Sequence, residues 1–281
     1  MMTGVAEGLA VQPFDLIKTR CQLSADSNPP LAASMRNIYA EGGIPRFYRG
    51  TFPVLASMVP KQAIMFFTYE RTKRWIGANT GAKGPRVEIL AALAASGPEA
   101  LAITPFQVVK VRLQDRAQVS RFRHGPHAFA TILRQEGPAA LLKGFGATVA
   151  RNSVWNSVYF PTTLMLQSQC ERVCTGESSG AVGTLVTLVC GVLGGTFGAC
   201  FSSPFDVVKS RMQAQDTAQG GGGLAHCARY HRILPSMQTI VSEEGFPALY
   251  KGFQAKVVCQ GVGGGVGIAA FTATLRWLEP P

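Results

Sequence analysis

The sequence is poor in charge, and most of the charge that it has is positive. Only 15% of its 281 residues are charged, 47% are hydrophobic, and 27 lysines and arginines outnumber 16 acidic residues. An ordinary soluble domain has about 25% charged residues, so this composition favours a membrane protein. The formal net charge of +11 would also suit a nucleic-acid-binding protein, and the positions of the basic residues must decide between the two.

The sequence also lacks the patterns of a metal site, a disulfide scaffold or an enzyme active site. Its seven cysteines have no metal-ligand spacing, and their odd number argues against a paired framework, so we expect reduced thiols. The four histidines do not cluster, no nucleophile has a partner base, and the GVGGGVG segment from Gly261 does not follow a strand. We therefore expect a protein that is not an enzyme, with no metal and no cofactor.

The start of the chain, MMTGVAEGLAVQ, has no basic residue ahead of its apolar stretch and no cleavage signature. It therefore matches neither a secretory signal nor a transit peptide, and any targeting information must be internal.

A ten-residue motif occurs three times. It reads PFDLIKTRCQ from Pro13, PFQVVKVRLQ from Pro105 and PFDVVKSRMQ from Pro204, at spacings of 92 and 99 residues. A second mark follows each copy, as EGGIPRFYRG ending at Gly50, EGPAALLKG ending at Gly144 and EGFPALYKG ending at Gly252. The chain therefore divides into three repeats, which we place at residues 1–76, 86–170 and 180–278.

Long stretches with little or no charge lie between the marks and predict membrane-spanning helices. Residues 152–170, 178–205 and 257–275 carry no charge, and about 20 apolar residues cross a bilayer. Residues 51–69 and 89–109 carry one charge each. A weaker first span begins at the N-terminus and includes the first copy of the motif. The pattern therefore predicts an all-α membrane protein with six transmembrane helices, two per repeat. We expect that first helix to be truncated in the printed chain.

The basic residues concentrate in three long loops that the pattern places on one side of the membrane. Residues 16–50, 110–143 and 207–256 hold five, seven and six lysines and arginines. Each loop also has apolar residues at helical spacing, which predicts a short helix on the membrane surface. Because aromatic residues lie mainly in the spans and not in a basic patch, we expect no nucleic-acid partner.

The triplicated P-x-[DE]-x-x-[KR]-x-[KR] motif, followed by [DE]-G-x4-[aromatic]-[KR]-G, resembles the signature of the mitochondrial carrier family. The stretches VPKQAIMFFTYE, RNSVWNSVYF and EEGFPALYKG are most similar to its oxodicarboxylate-carrying members, with citrate and oxoglutarate carriers further off. The resemblance implies a monomeric, multi-pass exchanger of the mitochondrial inner membrane that works by alternating access. It also implies cardiolipin beside the matrix-side surface helices.

Each repeat motif places an acid and a lysine three residues apart, on one helix face just after the proline. The pairs are Asp15 with Lys18, Gln107 with Lys110, and Asp206 with Lys209. Drawn together, they would form a ring of ion pairs that closes the matrix side. Gln107 replaces an acid, so the sequence predicts a weakened ring. An alternative, interfacial snorkelling of basic side chains, fits Arg20, Arg112 and Arg211.

The opposite, cytoplasmic gate keeps fewer residues of the family pattern. Only the first repeat keeps the family pattern, as Tyr69, Glu70 and Lys73. The corresponding positions read Tyr159, Phe160 and Pro161 in the second repeat and Phe271, Thr272 and Ala273 in the third. We therefore expect no complete ring of ion pairs at this end.

The predicted substrate site centres on Arg151, which lies seven residues after Gly144 in the slot where the family's fourth helix binds substrate. Arg151 and Asn152 resemble the arginine–polar pair of carboxylate carriers. The equivalent slots in the other repeats hold Ser57 with Met58, and Cys259 with Gln260, and Lys61 adds a second cation one turn further along. Two cations suit a dicarboxylate, because arginine can bind a carboxylate with two hydrogen bonds.

Three alternatives to this assignment stay open. Arg151 could instead pair with Glu7 or Glu99 and hold helices together. The substrate could be citrate, another tricarboxylate or oxoglutarate in place of a longer 2-oxodicarboxylate such as 2-oxoadipate. Cys259 stands where the family has a base, and with the depleted gates it fits a carrier-like protein with impaired transport.

Overall fold

A computed structural model describes residues 2–24, 30–80, 85–118, 121–173, 181–215, 230 and 232–278. Nine α-helices occur in these ranges: α1 (Met2–Leu23), α2 (Leu31–Phe47), α3 (Thr51–Thr80), α4 (Pro85–Gln114), α5 (Gly125–Glu136), α6 (Phe145–Val173), α7 (Ala181–Ala214), α8 (Ile233–Glu244) and α9 (Phe253–Leu278). Short 3₁₀ turns at Pro138–Leu142 and Phe246–Tyr250 precede α6 and α9. The predicted all-α class is confirmed.

Six of these helices are long and pack side by side in a ring. Their order around the ring is α1, α3, α4, α6, α7 and α9, and α9 closes against α1. Helices α1, α4 and α7 also contact one another. These three contain Pro13, Pro105 and Pro204, which interrupt the backbone hydrogen bonds of a helix and allow it to bend. The repeat motifs therefore meet near one axis.

Within the described residues, two helical segments are long and apolar enough to cross a membrane by length and composition, Ile89–Gln114 in α4 and Val186–Ala214 in α7. Other long helices also contain charged residues that face the middle of the ring. In α1 and α6 these include Asp15, Lys18 and Arg151, which line a central cavity described below. A helix with a wet, polar face has lower average hydropathy than one surrounded by apolar groups.

Three short helices, α2, α5 and α8, each attach to one of the bent long helices. Ile38, Ile132 and Ile240 are their buried anchors, each in an apolar cluster with residues of α1, α4 or α7 respectively. Their outer faces leave apolar side chains exposed, including Tyr39 and Leu234 at 61% and 72% exposure. Each helix thus exposes some apolar side chains beside its polar ones, as a helix at a membrane surface would.

Paired glycines set the turns around each short helix. Among the described residues, six glycines have positive φ, in three pairs seven residues apart: Gly43 with Gly50, Gly137 with Gly144, and Gly245 with Gly252. The left-handed region that they occupy is costly for residues with a Cβ atom. At Gly252 a Cβ atom would also lie 2.9 Å from the carbonyl oxygen of Lys18. The backbone conformation of these turns therefore requires the glycines of the second sequence mark.

The second arginine or lysine of each repeat motif is not at the lipid interface, so the snorkelling interpretation was wrong. Arg112 is fully buried and binds both carboxylate oxygens of Glu136. Arg20 pairs with Glu41 at 2.8 Å, and Arg211 binds Glu244 at 2.5 and 2.8 Å. The glutamates belong to the EG of the second sequence mark. Arginine suits such buried pairs because its planar fork matches a carboxylate.

Candidate functional site

A cavity of about 1050 Å³ lies along the axis of the ring and is lined by side chains from all six long helices. At one end it reaches Asp15 and Lys18, which follow the proline of α1. Nearer the other end it is bordered by Tyr69 of α3 and by Tyr159 of α6, whose ring stacks on Trp155 at 4.3 Å. Its wall therefore combines charged groups at one end with aromatic groups at the other.

Five of the seven predicted substrate residues line this cavity. They are Lys61, Arg151, Asn152, Cys259 and Gln260. Ser57 and Met58 are not among the lining residues. Ser57 hydrogen-bonds to the carbonyl oxygen of Val54, and Met58 packs against Gly8 of α1. The first-repeat slot thus takes part in helix packing, while Lys61, one turn further on, reaches the cavity.

Arg151 is held between Asn152 and a carboxylate of the matrix-side motif. Its Nε donates to Asp206 Oδ1 at 3.0 Å, and Nη1 donates to Asn152 Oδ1 at 3.1 Å. The structure therefore pairs Arg151 with neither Glu7 nor Glu99. Its side chain is 26% exposed, so the guanidinium is accessible from the cavity.

Glu99, which was considered above as a structural partner of Arg151, pairs with Lys61 instead. Its ammonium lies 3.7 Å from the Oε1 atom of Glu99, and its side chain is 44% exposed. At this separation and exposure the pair contributes little to stability. Lys61 is consequently a weakly held cation on the cavity wall.

Several buried polar atoms on the cavity wall have no hydrogen-bond partner among the described residues. They are Asn152 Nδ2, Trp155 Nε1 and Gln260 Oε1. A buried polar group without a partner costs about 1–3 kcal/mol. Groups that line a cavity can recover this loss by binding a solute or water, so these atoms mark the middle of the cavity as a polar binding surface.

The matrix-side motifs form two ion pairs, each between consecutive repeats around the ring. Asp15 of α1 pairs with Lys110 of α4, and Asp206 of α7 lies 3.3 Å from Lys18 of α1. In each pair the acid position of one repeat contacts the lysine of the next repeat around the ring. The same pattern would pair position 107 of α4 with Lys209 of α7. Gln107 Oε1 is instead buried without a hydrogen-bond partner among the described residues. The third position of the ring is thus occupied by an amide.

Asp206 is shared by three cations. Besides Lys18, its carboxylate lies 3.0 Å from Arg151 Nε and 2.7 Å from Lys256 Nζ. The sequence pattern did not indicate a role for Lys256 in the cavity, because this residue is the last one of a basic loop. Its position immediately before the last uncharged span, three residues before Cys259, is the signal that could have identified it. It lies in the first turns of α9 and lines the cavity.

The opposite end has no comparable arrangement among the side chains that the structure describes. Lys73 lies over the ring of Tyr69, 5.7 Å from its centroid, and Glu70 pairs with Arg74 of the same helix at 3.7 Å. The side chains of residues 271–273, the third-repeat positions of this gate, lie outside the described residues. The ion pairs that join different helices are therefore concentrated at the matrix-motif end.

Comparison with known proteins gives one family. The family model described as mitochondrial carrier protein matches residues 1–80, 82–172 and 180–280. A probable mitochondrial 2-oxodicarboxylate carrier of Schizosaccharomyces pombe is 34% identical over 99% of this chain and 92% of its own length. The mitochondrial 2-oxodicarboxylate carrier of Mus musculus is 32% identical over 98% and 92%. Mitochondrial citrate transporter D of Aspergillus niger is 32% identical over 99% and 92%.

A ring of long helices around a polar cavity, with ion pairs between helices at one end, is the arrangement of a solute transporter. The chain belongs to the mitochondrial carrier family, and it is accordingly a multi-pass protein of the mitochondrial inner membrane.

Proposed function

We propose that this protein exchanges small 2-oxodicarboxylates, such as 2-oxoadipate and 2-oxoglutarate, across the inner membrane by alternating access. The observation that carries the proposal is Arg151, a partly exposed guanidinium beside Asn152 on the wall of the central cavity. Lys61 lies on the same wall and supplies a second cation for the other carboxylate. The 2-oxodicarboxylate carriers that match nearly the whole chain support this substrate class.

The transport path in this proposal runs through all six long helices, each of which crosses the membrane. The three repeats, residues 1–76, 86–170 and 180–278, contribute two helices each. The pairs Asp15–Lys110 and Lys18–Asp206 hold the matrix side closed, with Gln107 and Lys209 as the weak position. At the cytoplasmic end, closure relies on packing of aromatic side chains such as Tyr69 and Tyr159.

The deciding experiment is uptake into proteoliposomes that contain the purified chain. Labelled 2-oxoglutarate, 2-oxoadipate, citrate, malate and ADP are each offered against internal 2-oxoglutarate. The proposal expects uptake of the two 2-oxodicarboxylates at rates well above citrate and no uptake of ADP. Uptake of ADP without any dicarboxylate would refute the substrate class and leave the family assignment intact.

Citrate exchange is the second candidate, because the citrate transporter of Aspergillus niger is 32% identical over nearly the whole chain. A cavity with several cations also suits a trianion. Uptake of citrate faster than either 2-oxodicarboxylate would favour this candidate. Absence of uptake of all five compounds, from a protein that unfolds cooperatively on heating, would favour a carrier-like protein with impaired transport.

We also place a membrane lipid at the matrix side of a monomeric protein. A second cavity, of about 760 Å³, lies on the outer face between the start of α6 and the start of α8. Gly144, Phe145 and Arg232 are among its lining residues. The first backbone N–H groups of a helix and an arginine suit a lipid phosphate, which supports cardiolipin as the partner.

A further inference from the structure

Lys256 lies one helical turn from the position of a missing cation. Cys259 stands in the α9 slot where the resemblance to the family leads one to expect a base, and a thiol cannot replace that charge. Lys256 precedes it by three residues, which places both side chains on one face of the helix, one turn apart. Both residues line the central cavity. The ammonium therefore lies one turn nearer the matrix-side ion pairs than the expected base would.

The surroundings of Lys256 provide it with two partners but do not use all of its hydrogen-bonding capacity. Only 4% of its surface is exposed, and a buried lysine is costly unless it is paired. Its Nζ lies 2.7 Å from Asp206 and donates to Ser202 Oγ at 2.7 Å. An ammonium has three N–H donors. The two partners thus leave one donor for a ligand.

The charges around Asp206 do not balance. Three cations, Lys18, Arg151 and Lys256, contact this one carboxylate, and Gln107 contributes none where the repeat pattern has an acid. The cluster consequently has two more basic groups than acidic ones. Excess charge of one sign in a poorly solvated site is unfavourable. A dianionic solute that enters from the cavity would neutralise it.

We propose that Lys256 is a substrate-binding residue, and that Arg151 and Lys256 together bind one carboxylate of the transported dianion in addition to Asp206. This inference rests on the proposed carboxylate exchange and adds the α9 cation to that site. Because Arg151 and Lys256 both contact the carboxylate of Asp206, they lie close enough to reach a second carboxylate between them. Lys61 then binds the other carboxylate of the dianion.

The main test compares exchange of 2-oxoglutarate by wild type, Lys256→Gln and Lys256→Arg in proteoliposomes. Loss of a charge-assisted contact should raise KM about tenfold or more in Lys256→Gln, and Lys256→Arg should retain part of the affinity. Arg134→Gln, at an exposed position of α5, removes one positive charge away from the cavity and should leave KM unchanged.

A rescue variant separates substrate binding from a structural role. In Lys256→Gln with Cys259→Lys, the cation moves one turn along the same cavity-facing side of α9. Recovery of a low KM supports substrate binding, because a lysine that only held Asp206 in place would not be replaced from that position. A KM that stays high in the double variant, together with a lowered unfolding midpoint in Lys256→Gln, overturns the proposal.

A measurement on the wild-type protein covers the case in which Lys256→Gln does not assemble. Acetylation of Lys256 by a small amine-reactive reagent is followed by mass spectrometry, with and without 2-oxoglutarate. We expect 2-oxoglutarate to slow the acetylation of Lys256 and to leave that of Lys143, outside the cavity, unchanged. An equal rate of Lys256 acetylation with and without 2-oxoglutarate overturns the inference. If wild type exchanges dicarboxylates and Lys256→Gln keeps its KM, only this inference fails. If wild type exchanges none, the proposed function fails with it.

Discussion

Replacing Gln107 by aspartate would complete the matrix-side ring of ion pairs. Asp15 pairs with Lys110 and Asp206 with Lys18, each across to the neighbouring repeat. Position 107 is the equivalent of these acids, and its buried amide oxygen has no partner among the described residues. An aspartate there would meet Lys209 by the same geometry, and it would remove the unsatisfied amide.

The expected gain follows from the burial of the site. A hydrogen bond to a charged group contributes about 1.5–3 kcal/mol, and part of this offsets the desolvation of the new carboxylate. A net gain of about 1–2 kcal/mol remains. For a chain of this size, each kcal/mol raises the unfolding midpoint by roughly 2–4 °C. The same energy must be overcome to open this end, so exchange should slow by about fivefold to thirtyfold where that opening limits the rate.

Thermal unfolding in detergent and initial exchange rates in proteoliposomes measure the two effects. Lys209→Gln is the matched background, because Gln107→Asp should neither stabilise nor slow a protein that lacks the partner lysine. An unchanged or lower midpoint for Gln107→Asp would refute the pairing across repeats. A higher midpoint with an unchanged exchange rate would show that opening of this end does not limit turnover.

Three further predictions concern other parts of the chain. Arg151→Ala should abolish dicarboxylate exchange and Arg151→Lys should lose most of it, because a point charge cannot bind a carboxylate through two bonds; normal exchange by either variant in proteoliposomes would contradict the site. The sulfur atoms of Cys170 and Cys190 lie 3.7 Å apart between α6 and α7, so mild oxidation should join them in a disulfide detectable by mass spectrometry, and its absence would contradict this helix contact. Although burial raises the pKa of Glu244, hydrogen bonds from Arg211 and neighbouring groups outweigh it and hold that pKa below its ordinary value. The stability from this carboxylate is therefore present above the unfolded-state pKa and is lost as the pH falls through the lower folded value, and Glu244→Gln should flatten the acid limb of the unfolding midpoint against pH.

The repeat pattern alone predicted the helical class, the long helices, the short surface helices and the family. This succeeded because each repeat carries local signals: prolines inside apolar helices, and glycines at turns that need positive φ. The resemblance to the carrier family implied that Arg151, Asn152 and Lys61 face the cavity, and they are among its lining residues. Such signals depend on neighbours in the chain, so a sequence displays them directly.

Only the tertiary structure decided which charges meet. Arg20, Arg112 and Arg211 pair with glutamates 21 to 33 residues away, a distance at which helical spacing gives no information. Asp206 and Lys256 come from different helices, and their contact exists because α7 and α9 are neighbours in the ring. An ion pair between helices depends on which faces pack together, and that is a property of the assembled ring and not of any one segment.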